Sequence, residues 1–191
     1  MRRLCALVCL VLAPPGAAQE QGWIIRFDQS EVTPADPIFW VECWAYFPAE
    51  DFAFAGARWS LHASEEGWND DGWTMLAHSI CVTPPWYISG PDYLDILDGQ
   101  LNFPPGSIYA DPANPIAVWH ASFEVTDFTP REITIRTETT LAEVFPERES
   151  SQSEERPWTE GVGAIRVVPA PGSAAPLVVA GVTAARRRRR Q

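Results

Sequence analysis

The sequence predicts an all-β fold, a β-sandwich of the jelly-roll kind, carried between two terminal segments of different character. Three observations support this. From Gln19 to Val168, short apolar runs are broken by turn residues, and no long stretch has helical period. Proline and glycine are frequent, at 18 and 12 of 191 residues, which punctuates the chain too often for long helices. The ends, by contrast, are apolar and arginine-flanked. The predicted organisation is therefore a signal peptide over 1–18, a β-sandwich over 19–168, and a hydrophobic C-terminal tail over 169–191.

Nine strands are predicted in order. The first covers Trp23 to Asp28, and Ile38 to Phe47 follows. In that second run Phe39, Val41, Cys43, Ala45 and Phe47 form one uncharged face, while Ile38, Trp40, Glu42, Trp44 and Tyr46 form the other. Alternate strand residues share a face, so the uncharged set is expected inward. Phe52 to Ala63 is the third strand, closed by an acidic turn, Glu65 to Gly72. Trp73 to Val82 and Gly99 to Phe103 come next. In Ile116 to Val125, the residues Ala117, Trp119, Ala121, Phe123 and Val125 are expected inward, with His120 and Glu124 opposite. Glu132 to Thr139, Leu141 to Phe145 and Gly161 to Val168 complete the set. The serine- and charge-rich stretch Glu147 to Arg156 reads as a mobile loop.

Charge narrows the function classes. All 14 basic residues are arginine, and seven of them lie at the two ends. The middle holds seven arginines against 25 carboxylates, a net charge of −18. Such a body repels phosphate backbones, which disfavours nucleic acid as a partner. Without lysine there is no Schiff-base or phosphate-loop lysine.

Candidate chemistry is sparse. Cys43 and Cys81 lie outside the predicted signal peptide. In an oxidising compartment an even pair reads as a disulfide, closing about 39 residues and worth roughly 4 kcal/mol less strain. Two buried free thiols are the alternative. Asp70 and Asp71, with Asp95 and Asp98, offer oxygen ligands, so calcium is the cofactor these turns would take. Acidic loops that are merely solvated are commoner, and neither stretch has the EF-hand pattern. His62, His78 and His120 are scattered, which argues against zinc. No Gly-x-Ser-x-Gly or His-Glu-x-x-His motif occurs, so no catalytic residue is assigned. The candidate ligand-binding residues are Trp40, Glu42, Trp44 and Tyr46. Flat rings stack on sugar faces, and a nearby carboxylate accepts hydroxyl hydrogen bonds. Trp40 and Trp44 would stand about 13 Å apart along a strand. The alternative places these rings beneath a loop such as Pro84-Pro85-Trp86-Tyr87.

The ends read as addresses. Arg2 and Arg3 precede the apolar run Leu4 to Ala13, and Gly16-Ala17-Ala18 offers a cleavage site before Gln19. At the other end, Pro169-Ala170-Pro171 is followed by small apolar residues to Ala185, then Arg186, Arg187, Arg188, Arg189 and Arg190. From Val167 to Ala185 a helix would reach about 28 Å, barely the length of a span. The arginines would stay on the cytoplasmic side. This tail resembles the PEP-CTERM class of bacterial sorting tails. Pro169 and Pro171 match the family's prolines, and Ala170 stands where the family has Glu. The resemblance implies membrane tethering during export and processing by a sorting protease, so that export machinery and that protease are partners. A permanent tail anchor is the alternative.

The body has a resemblance of its own. Phe52-Ala53-Phe54-Ala55-Gly56, Leu97-Asp98-Gly99-Gln100-Leu101-Asn102-Phe103 and Ala117-Val118-Trp119-His120-Ala121-Ser122-Phe123 look like the cohesin-type jelly roll, which is similar in architecture to carbohydrate-binding modules. The resemblance implies the fold; a sandwich hosts many tasks, and the leading expectation is a non-catalytic exported envelope or extracellular protein acting in adhesion, matrix or glycan or protein binding, with a polysaccharide or envelope protein as partner. A secreted carbohydrate-active hydrolase on the same scaffold is the rival. A purely structural envelope protein is the third reading. The export reading is checked by mass spectrometry of culture supernatant and membrane fractions. The expected species begins at Gln19, and a full-length chain in the cell interior would refute it.

Overall fold

The computed structural model describes residues 21–69, 74–75, 80–83, 87–103 and 108–170; for 74–75 and 80–83 it describes the backbone. Among these residues the chain forms twelve strands and no helix. They are β1 (Gly22–Phe27), β2 (Glu31–Val32), β3 (Ile38–Tyr46), β4 (Ala53–Ala63), β5 (Thr74–Met75), β6 (Ile80–Thr83), β7 (Tyr87–Ser89), β8 (Asp92–Gln100), β9 (Ile116–Glu124), β10 (Arg131–Phe145), β11 (Glu154–Glu155) and β12 (Val162–Val167). One sheet runs β1-β3-β9-β5. The larger one runs β2-β12-β10-β4-β8-β6, with β11 attached to β10 and β7 to β8. The sandwich architecture expected from the sequence is therefore present.

Alternation explains the layers. Phe39, Val41, Cys43, Ala45 and Phe47 are all buried, as their period requires. From the larger sheet, Trp59 and Leu61 of β4, Tyr93 and Ile96 of β8, and Ile133 and Ile135 of β10 meet them. In β9 the predicted parity holds only from Trp119 onward. A register shift between Cys43 and Trp44 pairs Trp44 with Ala117. Ala117 therefore turns to the outer face, and Ile116 and Val118 fill the core. One extra residue in a ladder reverses the facing of everything beyond it.

Tryptophan dominates the centre. Trp59 lies 4.4 Å from the Trp23 ring and 5.8 Å, edge to face, from Trp119. Trp68, arriving from the turn after β4, meets Phe123 edge-on at 5.1 Å. A Cβ on Gly67 would lie 2.3 Å from the Phe123 ring, so glycine there lets the turn close down. Buried indoles need acceptors. The Trp23 indole N–H donates to Thr139 Oγ1 at 2.9 Å, and that of Trp68 to the Pro91 carbonyl at 2.9 Å. The Trp59 indole N–H donates to Asp98 Oδ2 at 2.6 Å.

Four expectations are corrected. Trp73 to Val82 does not form one strand: β5 lies in the smaller sheet and β6 in the larger. Asp92 to Asp98, read as loop, forms most of β8. Its acidic residues conceal the alternation, because Asp98 points inward while Asp92 and Asp95 do not. The two predicted strands over 132–145 are one, bent by register shifts at Thr139/Leu141 and Glu143/Val144. The stretch after Phe145 is held in place. Asn102 Nδ2 donates to the carbonyls of Arg148 and Ser150, and Arg156 pairs with buried Asp51 at 2.9 Å.

The ends of the body are legible too. Val168 N donates to the Val32 carbonyl at 2.8 Å, and Val167 is buried in β12. The tail's apolar segment therefore starts after Val168, shorter than the stretch from Val167 expected above. Residues 1–20 and 171–191, including Pro171 and Arg186 to Arg190, lie outside the described residues. Among the described ones, no helix is long and apolar enough to cross a membrane.

Asp98 is 4% exposed and accepts from Trp59 and from the Ala57 amide at 3.2 Å. Burial pushes its pKa up to about 7, against the opposing effect of these two donors. Unfolded, it would titrate near about 3.9. The native state therefore binds the extra proton between these values, and stability falls as pH rises from about 4 to 7, by roughly 4 kcal/mol. Urea denaturation at pH 4, 6 and 8 should show Asp98→Asn gaining on the wild type by about that amount, and parallel profiles would contradict it. Trp119→Ala should cost about 3–5 kcal/mol in the same measurement.

Candidate functional site

The outer face of the smaller sheet carries the aromatic residues singled out above. Trp40, Glu42, Trp44 and Tyr46 stand in a row on β3, each partly exposed. The Trp44 indole N–H donates to Glu42 Oε2 at 2.9 Å, and the Arg26 guanidinium of β1 lies 4.2 Å over the Trp44 ring. In the ladders Glu42 faces Arg26 on one side and His120 on the other. The Trp40 ring lies 4.8 Å from that of His120. Partial burial holds the His120 pKa below its ordinary value, with Glu42 opposing, so the ring is neutral at pH 7. Sequence reasoning found the β3 row but not Arg26 and His120, because neighbours across a ladder are invisible in a linear period. Of the segment expected to cover these rings, Tyr87 lies on β7 beside β8 of the other sheet, and 84–86 lie outside the described residues.

The row ends at a cleft. Tyr46 lines an open hollow of about 680 Å³ together with Glu50, Phe52, Asn114, Glu147 and Arg148. Asn114 braces the turn after β3: its Nδ2 donates to the Phe47 carbonyl, and its Oδ1 accepts from the Phe47 amide.

The outer face of the larger sheet has a second feature. Gly56 of β4 and Gly99 of β8 are ladder partners, and Glu143 of β10 pairs with Gly56 from the other side. A Cβ on Gly56 would lie 2.6 Å from the Asp98 carbonyl oxygen, so the backbones approach as only glycine allows. Above them is a trough of about 320 Å³ walled by Leu97, Leu101 and Leu141. Leu97 is 41% exposed and Leu101 46%. Glu143 on the rim stands directly opposite Glu155, a like-charge pairing that destabilises a sheet.

The remaining candidates disperse. Asp95 accepts two hydrogen bonds from Arg58 at the surface, whereas Asp98 is in the core, so these two do not converge on a calcium ion. Asp70 and Asp71 lie outside the described residues, among which no group of three metal ligands gathers. His62 sits between Asp92 and Glu138, 3.0 Å from each, although Nε2 lacks hydrogen-bond alignment toward Glu138. His78 lies outside the described residues. Cys43 is a free, buried thiol, so the disulfide expected with Cys81 is not formed. The two belong to different sheets: Cys43 fills the core on β3, and Cys81 is opposite Gly99 at the edge. Burial, with smaller contributions from Asp98 and Glu42, pushes the Cys43 pKa well above that of an ordinary thiol, which leaves it inert.

No protein-family model matches the chain, and no curated protein does. Among solved structures it is similar to three cohesin modules. One is from a family 33 glycoside hydrolase of Clostridium perfringens, with 10% identity over 78% of this chain and 97% of that one, and a TM-score of 0.46. Another is the sixth cohesin of Acetivibrio cellulolyticus scaffoldin B, solved with a mutant Cel5 dockerin, at 7% identity over 74% and 96%, TM-score 0.45. The third comes from a type I cohesin–dockerin complex of Clostridium thermocellum, at 11% identity over 75% and 99%, TM-score 0.42. The assignment of a two-sheet sandwich stands on the strand pairings themselves.

Proposed function

We propose that this protein is an exported, non-catalytic binding module that takes a protein partner on the outer face of its larger sheet. The observation that carries this is the glycine-floored trough between Leu97, Leu101 and Leu141. Leu97 and Leu101, a little under half exposed, would each gain roughly 1 kcal/mol on full burial, and a trough beside them accepts a partner's apolar side chain. The facing carboxylates of Glu143 and Glu155 favour a basic side chain next to that anchor. The signal peptide over 1–18 delivers the module to the envelope or beyond. The tail after Val168 tethers it to the membrane during sorting, where adhesion or matrix assembly is its role.

A hydrolase on this scaffold would need two carboxyls across a cleft, one with a raised pKa. Asp98 has the raised pKa, but it is sealed in the core beneath Trp59 and reaches no solvent-side substrate.

The test is photo-crosslinking in the exporting cell, with a photoreactive residue at Leu97 or Leu101 and a control at Glu132. A discrete crosslinked protein from the first two positions and none from the third is expected. Equal crosslinking everywhere, or none at Leu97 and Leu101, would overturn the proposal.

A further inference from the structure

The row on β3 and the cleft at its end form one continuous surface. Alternate residues stand about 6.8 Å apart, so Trp40 to Tyr46 spans about 20 Å. That is a track rather than a pocket, and it suits a ligand extended in one direction with repeating flat, weakly apolar faces. Its middle is polar and balanced: Arg26 and Glu42 offset each other, and His120 is uncharged at neutral pH.

Two of the three rings are braced in advance, Trp40 by the ring of His120 at 4.8 Å and Trp44 by polar partners. Trp44 is clamped between its hydrogen bond to Glu42 and the guanidinium above it. It acts as a support, and Arg26 has further N–H donors to offer hydroxyl groups. Trp40 at one end and Tyr46 at the cleft mouth supply the stacking faces. Clamped side chains lose little freedom on binding. A body of net charge −18 repels anionic polymers, whereas the charge-balanced strip does not disfavour a neutral one. The track runs along β3, one strand in from the edge strand β1, and it offers side-chain faces rather than the open backbone that strand addition by a peptide needs.

We propose that the outer face of β1, β3 and β9, continued into the cleft at Tyr46, is a binding site for a neutral oligosaccharide or polysaccharide chain, stacked on Trp40 and Tyr46 and hydrogen-bonded by Arg26 and Glu42. It is separate from the protein-docking trough.

The experiment applies the exported mature protein to an array of neutral oligosaccharides printed beside sulfated and uronate-containing ones. Affinities for the bound glycans are then measured by calorimetry. Binding confined to neutral glycans is expected, weakened at least tenfold in the Trp40→Ala, Tyr46→Ala double variant and unchanged in Leu97→Asp. Arg26→Gln, a milder surface change, should weaken binding severalfold while leaving the thermal midpoint in place, which separates loss of the site from loss of the fold. Absence of binding to any neutral glycan, binding of charged glycans alone, or full retention in both the double variant and Arg26→Gln would overturn the proposal. Loss of binding in Leu97→Asp equal to that in the double variant would overturn the separation of the two sites.

Discussion

The Trp59 indole is the point on which the two layers depend. It comes from the larger sheet and packs between Trp23 and Trp119 of the smaller one. Its N–H must then find an acceptor out of water, and Asp98 supplies it. A buried carboxyl is costly, but Asp98 also satisfies the Ala57 amide of β4. One acid therefore serves two donors that would otherwise be orphaned, each at about 1–3 kcal/mol. Trp119 Nε1 has no such partner among the described residues, and its place at the centre rests on packing alone.

The same geometry shapes both outer surfaces. Because Asp98 faces inward, Leu97 and Gly99 face outward, and the close approach of Gly56 and Gly99 forms the floor of the trough. On the other layer, the inward set from Phe39 to Phe47 puts Trp40, Glu42, Trp44 and Tyr46 outside. Two distinct faces thus follow from one core: an apolar notch rimmed by carboxylates, and a row of rings braced by a cation and a carboxylate.

Much of this was legible in one dimension. The alternation in β3 names the core face and the candidate row residue by residue. Elsewhere the period was hidden. In β8 the acids Asp92, Asp95 and Asp98 look alike in sequence, yet Asp92 meets His62, Asp95 meets Arg58, and Asp98 is buried. In β9 a single register shift turned Ala117 outward against its pattern. The stretch after Phe145 has the composition of a disordered linker, but Asn102 and Asp51, distant in sequence, hold it down.

The sequence by itself determined where β1, β3, β4, β9 and β12 lie, the facing along β3, and the contrast between acidic body and arginine-bearing ends. These are local properties, read at a period of two or from composition. Only the tertiary structure decided which strands share a sheet, which aspartate is inside, that Cys43 stays a free thiol, and that Arg26 and His120 join the β3 row. Those outcomes rest on pairings between residues far apart in the chain, and such pairings are chosen by the packing of all the strands together.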